Sequence, residues 1–159
     1  MSESLSTQRR PKVGVGVFVQ RGDEVLLGLR KGSHGAETWS IPGGLIEADE
    51  RVFEAAIREL YEETGISVPG VATLVAPASL RGFEKPGGFQ EYVTLYAHTV
   101  IPKSWEAKIL EPEKCAEWRW ITMCRPQEKW PGPLFECLED LLGAVKVASP
   151  YQLGHWLGK

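Results

Sequence analysis

The chain is 159 residues long, which is the length of one domain of ordinary size. Hydrophobic residues make up 43% and charged residues 25%, which is typical of a globular protein and unlike disordered, collagen-like or coiled-coil chains. With 18 Lys and Arg against 21 Asp and Glu, the formal charge of −3 gives no reason to expect a nucleic-acid polymer as partner. Any phosphate group must therefore be bound by local chemistry.

The cysteines predict the redox compartment, and the composition of the two terminal segments predicts the limits of the domain. The odd number of cysteines and the lack of CxxC spacing predict free thiols in a reducing compartment. The sequence has no apolar leader and no run of 18 apolar residues, so we expect a cytoplasmic protein without a membrane partner. We expect a flexible polar tail over residues 1–11, one folded domain over 12–146 and a C-terminal extension over 147–159. The cysteines are Cys115, Cys124 and Cys137.

The first half of the chain predicts a β-hairpin followed by a helix. Valines alternate from Val13 to Val19 and predict a strand, and residues 25–30 predict its hairpin partner. From Glu50 to Thr64 the apolar residues recur with the helical period, with Asp49 as the expected N-cap and Gly65 as the expected stop. The predicted apolar stripe of this helix is Phe53, Ala56, Ile57 and Leu60.

The second half predicts more strands and a second helix. Residues 71–77, 91–101 and 115–121 are strand-like, and residues 81–89 predict a Gly- and Pro-containing loop. Residues 133–145 begin with Pro and carry leucines on one face, which predicts a helix. The order of elements favours a mixed sheet with helices packed on it, in an α/β or α+β arrangement.

Three carboxylates crowd one side of the first predicted helix. On a helical wheel, Glu59, Glu62 and Glu63 fall within one quadrant beside the apolar stripe. Like charges at this spacing each cost an isolated helix about 0.2–0.5 kcal/mol, so a positive partner is expected. A divalent metal such as Mg²⁺ or Mn²⁺ suits clustered carboxylate oxygens, and a solvated acidic face is the alternative.

Residues 44–66 read GLIEADERVFEAAIRELYEETGI. They fit the pattern Gly-x5-Glu-x7-Arg-Glu-U-x-Glu-Glu-x-Gly-U, where U is apolar, and so resemble the Nudix box. The resemblance implies an α/β/α sandwich with a mixed β-sheet and the Nudix loop–helix, and a metal-dependent hydrolase of nucleoside diphosphates linked to a further group. The segments VGVGVFV, LLGLRKGSHGAETWSIPGG and EPEKCAEWRW also resemble small MutT-like nucleoside triphosphate diphosphatases, including the branch that acts on oxidised or modified purine nucleotides and its plant relatives.

The resemblance implies a role for each box residue. Arg58 matches the arginine that orients a glutamate, with an ordinary surface pair to Glu54 or Glu62 as the alternative. At Asp49 many members of the family have glycine, so the turn departs from the common form. Glu47 and Glu50 match supporting carboxylates. The implied metal ligands are the carbonyl of Gly43 and the side chains of Glu59, Glu62 and Glu63.

The sequence leaves the identity of the general base open. Glu59 is the leading candidate, and the segment EPEKCAEW offers Glu111, Glu113 and Glu117. Ordinary surface charge is the alternative for each of these three. We take Glu113 as the catalytic candidate of this segment, together with Glu59 and Arg58.

Substrate contacts are predicted near the end of the hairpin. Arg30 and Lys31 fit phosphate contacts, with a solvated strand end as the alternative. Trp39 and Phe89 fit stacking on a base, although core or rim packing is the more common role of such aromatics. His34 is expected to be a surface histidine.

The expected reaction is Mg²⁺- or Mn²⁺-dependent hydrolysis of a nucleoside triphosphate to a monophosphate and pyrophosphate. The expected partner is a small-molecule nucleotide, and the resemblance is compatible with a homodimer. One alternative is another diphosphate, such as a prenyl diphosphate or a nucleotide sugar; an apolar pocket wall would favour a prenyl group. The other is a non-catalytic nucleotide-sensing module, which would normally carry a damaged box, whereas this box is intact.

Overall fold

The structure is a computed structural model that describes residues 10–32, 34–69, 73–122, 130–136 and 138. The elements in chain order are β1 (Lys12–Arg21), β2 (Glu24–Arg30), β3 (Trp39–Ser40), β4 (Gly43–Leu45), α1 (Val52–Thr64), β5 (Thr73–Lys85), β6 (Gly88–Val100) and β7 (Cys115–Thr122).

The strands form one mixed sheet around β1. Strand β1 pairs antiparallel with β2 and β4 on one side and parallel with β6 on the other. Strand β6 also pairs antiparallel with β5, and β2 pairs antiparallel with β3 and β7. The predicted hairpin and the predicted mixed sheet are both confirmed. No helix in the described part of the chain is long and apolar enough to cross a membrane.

Each face of the sheet packs against its own core. Alternation along β1 sends its valines to the face covered by α1, because successive strand side chains point to opposite faces. Tyr96 and Leu138 lie in the other core, so residues near the C-terminal end of the described chain cover the second face. The core under α1 contains Val15, Val17, Val19, Leu26, Ala55, Ala56, Leu60, Ile66, Val68, Ala97 and Ile101. The second contains Val25, Leu27, Trp39, Ile41, Tyr96, Ile121 and Leu138.

Helix α1 ends as predicted but begins later. Gly65 has a left-handed backbone (φ 71°), and its N–H donates to the Tyr61 carbonyl at 2.8 Å. The N-cap is Arg51 rather than Asp49. Asp49 has φ 62°, and this left-handed conformation differs from the extended one of an N-cap. It explains why glycine suits this position, since glycine adopts positive φ without steric cost.

The buried stripe of α1 is rotated from the predicted one. Phe53 is 40% exposed, whereas Ala55 is fully buried and Glu59 is 9% exposed. Two small residues, Ala55 and Ala56, allow close packing on the sheet, and the rotation turns the Glu59 carboxylate towards β4. The periodicity of the apolar residues did not predict this rotation, because it places Glu59 outside the buried face of the helix.

The predicted loop over 81–89 is wrong. Strand β5 continues to Lys85, and β6 begins at Gly88. Gly87 (φ 98°) and Gly88 (φ 101°) supply the positive φ of a tight turn, so glycine and proline here mark a hairpin tip rather than a long loop.

Several sequence predictions fall wholly or partly outside the described residues. They are the tail over 1–11 except its last two residues, the extension over 147–159, two of the cysteines, and most of the helix predicted over 133–145. Within that segment Glu136 and Leu138 are helical. Cys115 is a buried free thiol, as predicted.

The left-handed end of α1 predicts the effect of replacing Gly65. A Cβ at this position would meet only Leu110 Cδ1, at 3.6 Å, so added volume is tolerated. Gly65→Ala should nevertheless lower the free energy of unfolding by about 1 kcal/mol, because alanine resists positive φ. Gly65→Asn should lower it less, since asparagine tolerates this conformation. Urea unfolding measures both; equal losses would contradict the backbone explanation.

Candidate active site

Arg58 joins the loop before α1 to the carboxylates of α1. Its Nε and one terminal nitrogen donate to the two oxygens of Glu50, at 2.7 and 2.9 Å. That terminal nitrogen also donates to the Leu45 carbonyl at 3.0 Å. The other donates to Glu59 Oε1 at 2.8 Å and to Glu62 Oε2 at 3.0 Å. The arginine therefore orients glutamates from both segments, and its surface pair with Glu62 belongs to the same network.

Two glutamates of α1 line a cavity of about 400 Å³, which we call the carboxylate cavity. Glu59 and Glu63 are one turn apart and both line it, because residues i and i+4 share a helix face. The Glu62 side chain is 49% exposed and lies beside Arg58 outside this cavity. The lining residues are Gly28, Arg30, Lys31, Ser40, Ile41, Gly43, Gly44, Leu45, Glu59, Glu63, Glu111, Lys114, Cys115 and Trp118.

The glycines of β4 bring backbone against these carboxylates. The Gly43 N–H donates to Glu63 Oε2 at 3.0 Å. A Cβ at Gly44 would collide with the Glu59 carboxylate, and one at Gly43 would collide with the Val15 carbonyl oxygen. Glycine at Gly44 permits the close approach of β4 to α1, and glycine at Gly43 permits its close approach to β1.

Burial raises the pKa of the two α1 glutamates in the cavity, whereas Arg58 acts to lower the pKa of Glu50 and Glu59. Desolvation raises the pKa of Glu63 to about 7, although the Gly43 N–H acts against this shift. Desolvation also raises the pKa of Glu59, and the Arg58 guanidinium opposes the rise. Hydrogen bonds from Arg58 lower the pKa of Glu50 to about 2. In turn, the carboxylates of Glu50, Glu59 and Glu62 raise the pKa of Arg58. Burial thus raises the pKa of both α1 carboxylates that line the cavity, and a nearby cation would lower it again.

The turn before β7 adds a third carboxylate to the cavity. The Lys114 N–H donates to the Glu111 carbonyl at 2.9 Å, and Lys114 Nζ donates to Glu111 Oε1 at 2.7 Å. Glu111 Oε2 is buried and has no hydrogen-bond partner among the described residues. Lys31 Nζ donates to the Pro112 carbonyl at 2.7 Å, which ties the turn to the end of β2.

Of the three glutamates offered by EPEKCAEW, only Glu111 lines the cavity. Glu113 is exposed and lines neither this cavity nor the neighbouring one. Glu117 pairs with exposed Arg119 at 2.6 Å and also lies outside both. The geometry thus favours Glu111 over Glu113, the candidate that sequence alone put forward. Spacing within the segment carried no signal that separates them.

A second cavity of about 300 Å³, the aromatic cavity, adjoins the first. Arg30 lines both cavities, and its Cζ lies 4.1 Å from the centroid of the Phe135 ring. The shared wall also includes Ser40, Ile41, Gly43, Gly44 and Leu45. The remaining lining residues are Gly14, Val15, Gly16, His34, Arg81, Phe83, Tyr92, Thr94, Phe135 and Glu136.

The structure places two of the four predicted substrate contacts at the carboxylate cavity and the other two elsewhere. Arg30 and Lys31 line the carboxylate cavity, as phosphate contacts would require. Trp39 is 4% exposed within the second core, and Phe89 is 47% exposed at the tip of the β5–β6 hairpin. Neither aromatic lines the carboxylate cavity or the aromatic cavity, whereas His34 lines the aromatic cavity. Phe83 was not singled out from the sequence, because its place at this cavity depends on strand pairing within the segment 81–89, which was predicted to be a loop.

The donor chemistry of the carboxylate cavity fits a hard divalent cation. Glu59, Glu63 and Glu111 supply carboxylate oxygens, one of them buried without a partner among the described residues. The open space beside glycine backbone lets an ion approach. In the described part of the chain, however, no three His, Cys, Asp or Glu side chains are grouped closely enough to hold a metal. The carboxylates instead bind Arg58, Lys114 and the Gly43 N–H.

Comparison with known proteins shows the family to which the chain is similar. A model of the NUDIX domain matches residues 10–139. The chain is 35% identical over 100 residues to the m7GpppN-mRNA hydrolase NUDT17 of Homo sapiens, which covers 61% of this chain and 30% of that protein. It is 45% identical over 56 residues to a MutT-like protein of Streptomyces ambofaciens, covering 35% of each. The crystal structure of a MutT NUDIX hydrolase from Burkholderia pseudomallei has a TM-score of 0.72 at 28% identity, covering 86% of this chain and 99% of that one.

The fold and the box together define a Nudix domain, and the chain belongs to the Nudix hydrolase family. The resemblance inferred from the box and the α/β Nudix fold are therefore confirmed. The chain spans 23%, 30% and 38% of the length of three curated relatives that it matches.

The raised pKa of Glu63 predicts a pH-dependent stability in the metal-free protein. Its carboxyl keeps its proton up to about pH 7 when folded but loses it near 4.5 when unfolded. The contribution to stability is therefore complete below pH 4.5 and is lost as the pH rises to about 7. Relative to Glu63→Gln, the wild type should lose at most about 3 kcal/mol over this range. Urea unfolding at several pH values measures the difference, and parallel curves for the two proteins would contradict it.

Proposed function

We propose that the protein hydrolyses nucleoside triphosphates to nucleoside monophosphates and pyrophosphate, with Mg²⁺ or Mn²⁺ as cofactor. The observation that supports this most is the shared wall between the carboxylate cavity and the aromatic cavity. A nucleotide has one highly charged end and one planar aromatic end, and the two adjoining cavities have matching chemistry. The β4 glycines form part of the shared wall, so a ligand can extend from one cavity to the other.

Cations at the carboxylate cavity suit the phosphate chain. Arg30 and Lys31 leave β2 at its wall, and Lys114 faces it from the turn before β7. Arginine offers a forked set of donors to phosphate oxygens, and lysine offers a point charge. Lys114 is held by Glu111, whose carboxylate raises the lysine pKa, so its charge is retained at neutral pH.

The carboxylates provide the metal-binding side of the same cavity. Glu59, Glu63 and Glu111 are the residues that would hold divalent cations there, with Glu62 as a further box carboxylate held by Arg58. When bound, Mg²⁺ or Mn²⁺ neutralises phosphate oxygens and lowers the pKa of a coordinated water. Arg58 then has a positioning role, since it fixes Glu59 and Glu50 relative to one another.

Glu111 is the proposed general base. Its Oε2 is buried at the cavity without a protein partner among the described residues, so it is able to accept a proton from an attacking water. Lys114 holds the other oxygen and fixes the carboxylate orientation. Water adds to one phosphorus of the anhydride, the anhydride bond breaks, and the products are the monophosphate and pyrophosphate.

The polar residues of the aromatic cavity favour a nucleobase over a prenyl chain. Thr94, Glu136 and Arg81 line the cavity among aromatic rings. A hydrocarbon chain offers no hydrogen bonds to such groups, whereas a base offers donors and acceptors to them. We therefore rank triphosphates above prenyl diphosphates as substrates.

A product-resolved hydrolysis screen tests the proposed reaction. With Mg²⁺, the protein should release pyrophosphate and a monophosphate from one class of ordinary or oxidised triphosphate. Glu59→Gln should lose most of the rate while keeping its fold, because a neutral amide replaces a charged cavity ligand. The panel includes nucleotide sugars, ADP-ribose, capped RNA and prenyl diphosphates. Preferential cleavage of one of these, or wild-type turnover by Glu59→Gln, would contradict the proposal.

Two glutamates of one turn give a matched test of the general base. Glu111→Gln should lower kcat about 100-fold or more, the usual contribution of a positioned base, with little change in KM. Glu113→Gln should change kcat less than about threefold, because this side chain is exposed and lines neither cavity. Steady-state kinetics at saturating Mg²⁺ measure both variants. A larger loss in Glu113→Gln would return the assignment to Glu113.

A further inference from the structure

Three rings lie nearly parallel at the wall of the aromatic cavity. The His34 and Phe83 centroids are 3.6 Å apart with 12° between the ring planes. The Phe83 and Tyr92 centroids are 5.0 Å apart with 2° between the planes. All three residues line the cavity, so the stack forms part of the surface that a ligand meets.

Two of these rings are fixed by the sheet. Tyr92 in β6 is paired with Arg81 in β5, and Phe83 lies two residues further along β5 on the same face. Cross-strand and diagonal neighbours of this kind stay in contact as long as the hairpin register holds. Phe83 and Tyr92 thus form a rigid aromatic surface.

The third ring comes from a segment that is attached differently. His34 lies between Gly32 (φ 99°) and Gly35 (φ 69°), outside any strand or helix. Its carbonyl accepts a hydrogen bond from an Arg30 terminal nitrogen at 3.2 Å, and its ring contacts Phe135 edge-on at 5.5 Å. The backbone is tied by Arg30, but the imidazole is held against Phe83 by ring contacts alone among the interactions described.

The imidazole covers the Phe83 surface at the distance of a stacked base. No base fits between rings 3.6 Å apart, because two stacking contacts need about 7 Å. A base that uses this surface must therefore replace the imidazole. A purine has a larger aromatic area than imidazole, so the exchange is favourable once the phosphates are anchored.

We propose that Phe83 is the stacking surface for a purine base and that His34 covers this surface in the ligand-free protein, leaving it when the base binds. The inference rests on the proposed nucleotide substrate and adds to it a specific base contact and a competing side chain. The proposal predicts opposite changes in nucleotide affinity for substitutions at two residues that contact each other. Removing Phe83 weakens nucleotide binding, and removing the His34 ring strengthens it.

The test measures dissociation constants of dGMP and dAMP with Mg²⁺, and of inorganic pyrophosphate as a probe of the phosphate end. His34→Ala should bind the better monophosphate about two- to tenfold more tightly, the size of one aromatic contact. Phe83→Leu should bind it about fivefold or more weakly, since base stacking is lost. Pyrophosphate affinity should be the same in all variants.

Phe89→Leu is the matched control. Phe89 belongs to the same hairpin but lines neither cavity, so its replacement should leave both affinities unchanged. Thermal unfolding of each variant confirms that the hairpin is intact, and Phe83→Tyr, which keeps a ring, should restore binding. In NMR spectra the His34 ring protons should be shielded by Phe83 in the free protein and should lose this shielding when monophosphate is added.

Each outcome has a defined meaning. Weaker binding in His34→Ala would make His34 a base contact and overturn its proposed covering role. Unchanged binding in Phe83→Leu, with triphosphate hydrolysis intact, would overturn the stacking surface and leave the proposed reaction standing. Absence of both nucleotide binding and triphosphate hydrolysis in the wild type would overturn the reaction and the inference together.

Discussion

The site depends on one guanidinium. Arg58 donates to carboxylates of Glu50, Glu59 and Glu62 and to a backbone carbonyl of β4, so it sets the distance between the loop that precedes α1 and the helix itself. Without this cation, several carboxylates would repel one another at short range. A lysine would supply the charge but not the planar fork that contacts partners in several directions. The positions of Glu50, Glu59 and Glu62 in the box therefore match the geometry of this one side chain.

The box could be found from sequence because its chemistry is local. Spacing along one helix places Glu59 and Glu63 on the same side, and Gly65 marks the left-handed end, so residue order alone predicts both features. The rotation of α1 was not predictable in this way. It depends on glycine backbone in β4, which is distant in sequence and accommodates the buried Glu59 carboxylate.

The rings of the aromatic cavity, in contrast to the box, could not be identified from the sequence. Phe83 and Tyr92 meet only because β5 pairs with β6 in one register, and sequence does not specify register when glycine and proline interrupt the strand pattern. Sequence reasoning therefore selected aromatic residues by type, and chose Trp39 and Phe89. Trp39 instead packs in the second core, and Phe89 lies at the hairpin tip. Contacts across elements, not residue type, define which rings face a ligand.

The two cavities depend on each other through their common wall. Gly43 and Gly44 are needed on the carboxylate side, because a side chain there would collide with Glu59 or with β1. The same two glycines line both cavities, so neither places a side chain between them. Arg30 also faces both cavities, with its guanidinium over Phe135 and one terminal nitrogen bonded to the His34 carbonyl. A phosphate that attracts Arg30 would thus act directly on the residue that carries the covering imidazole. Anchoring of the charged end and exposure of the aromatic surface are in this way physically linked.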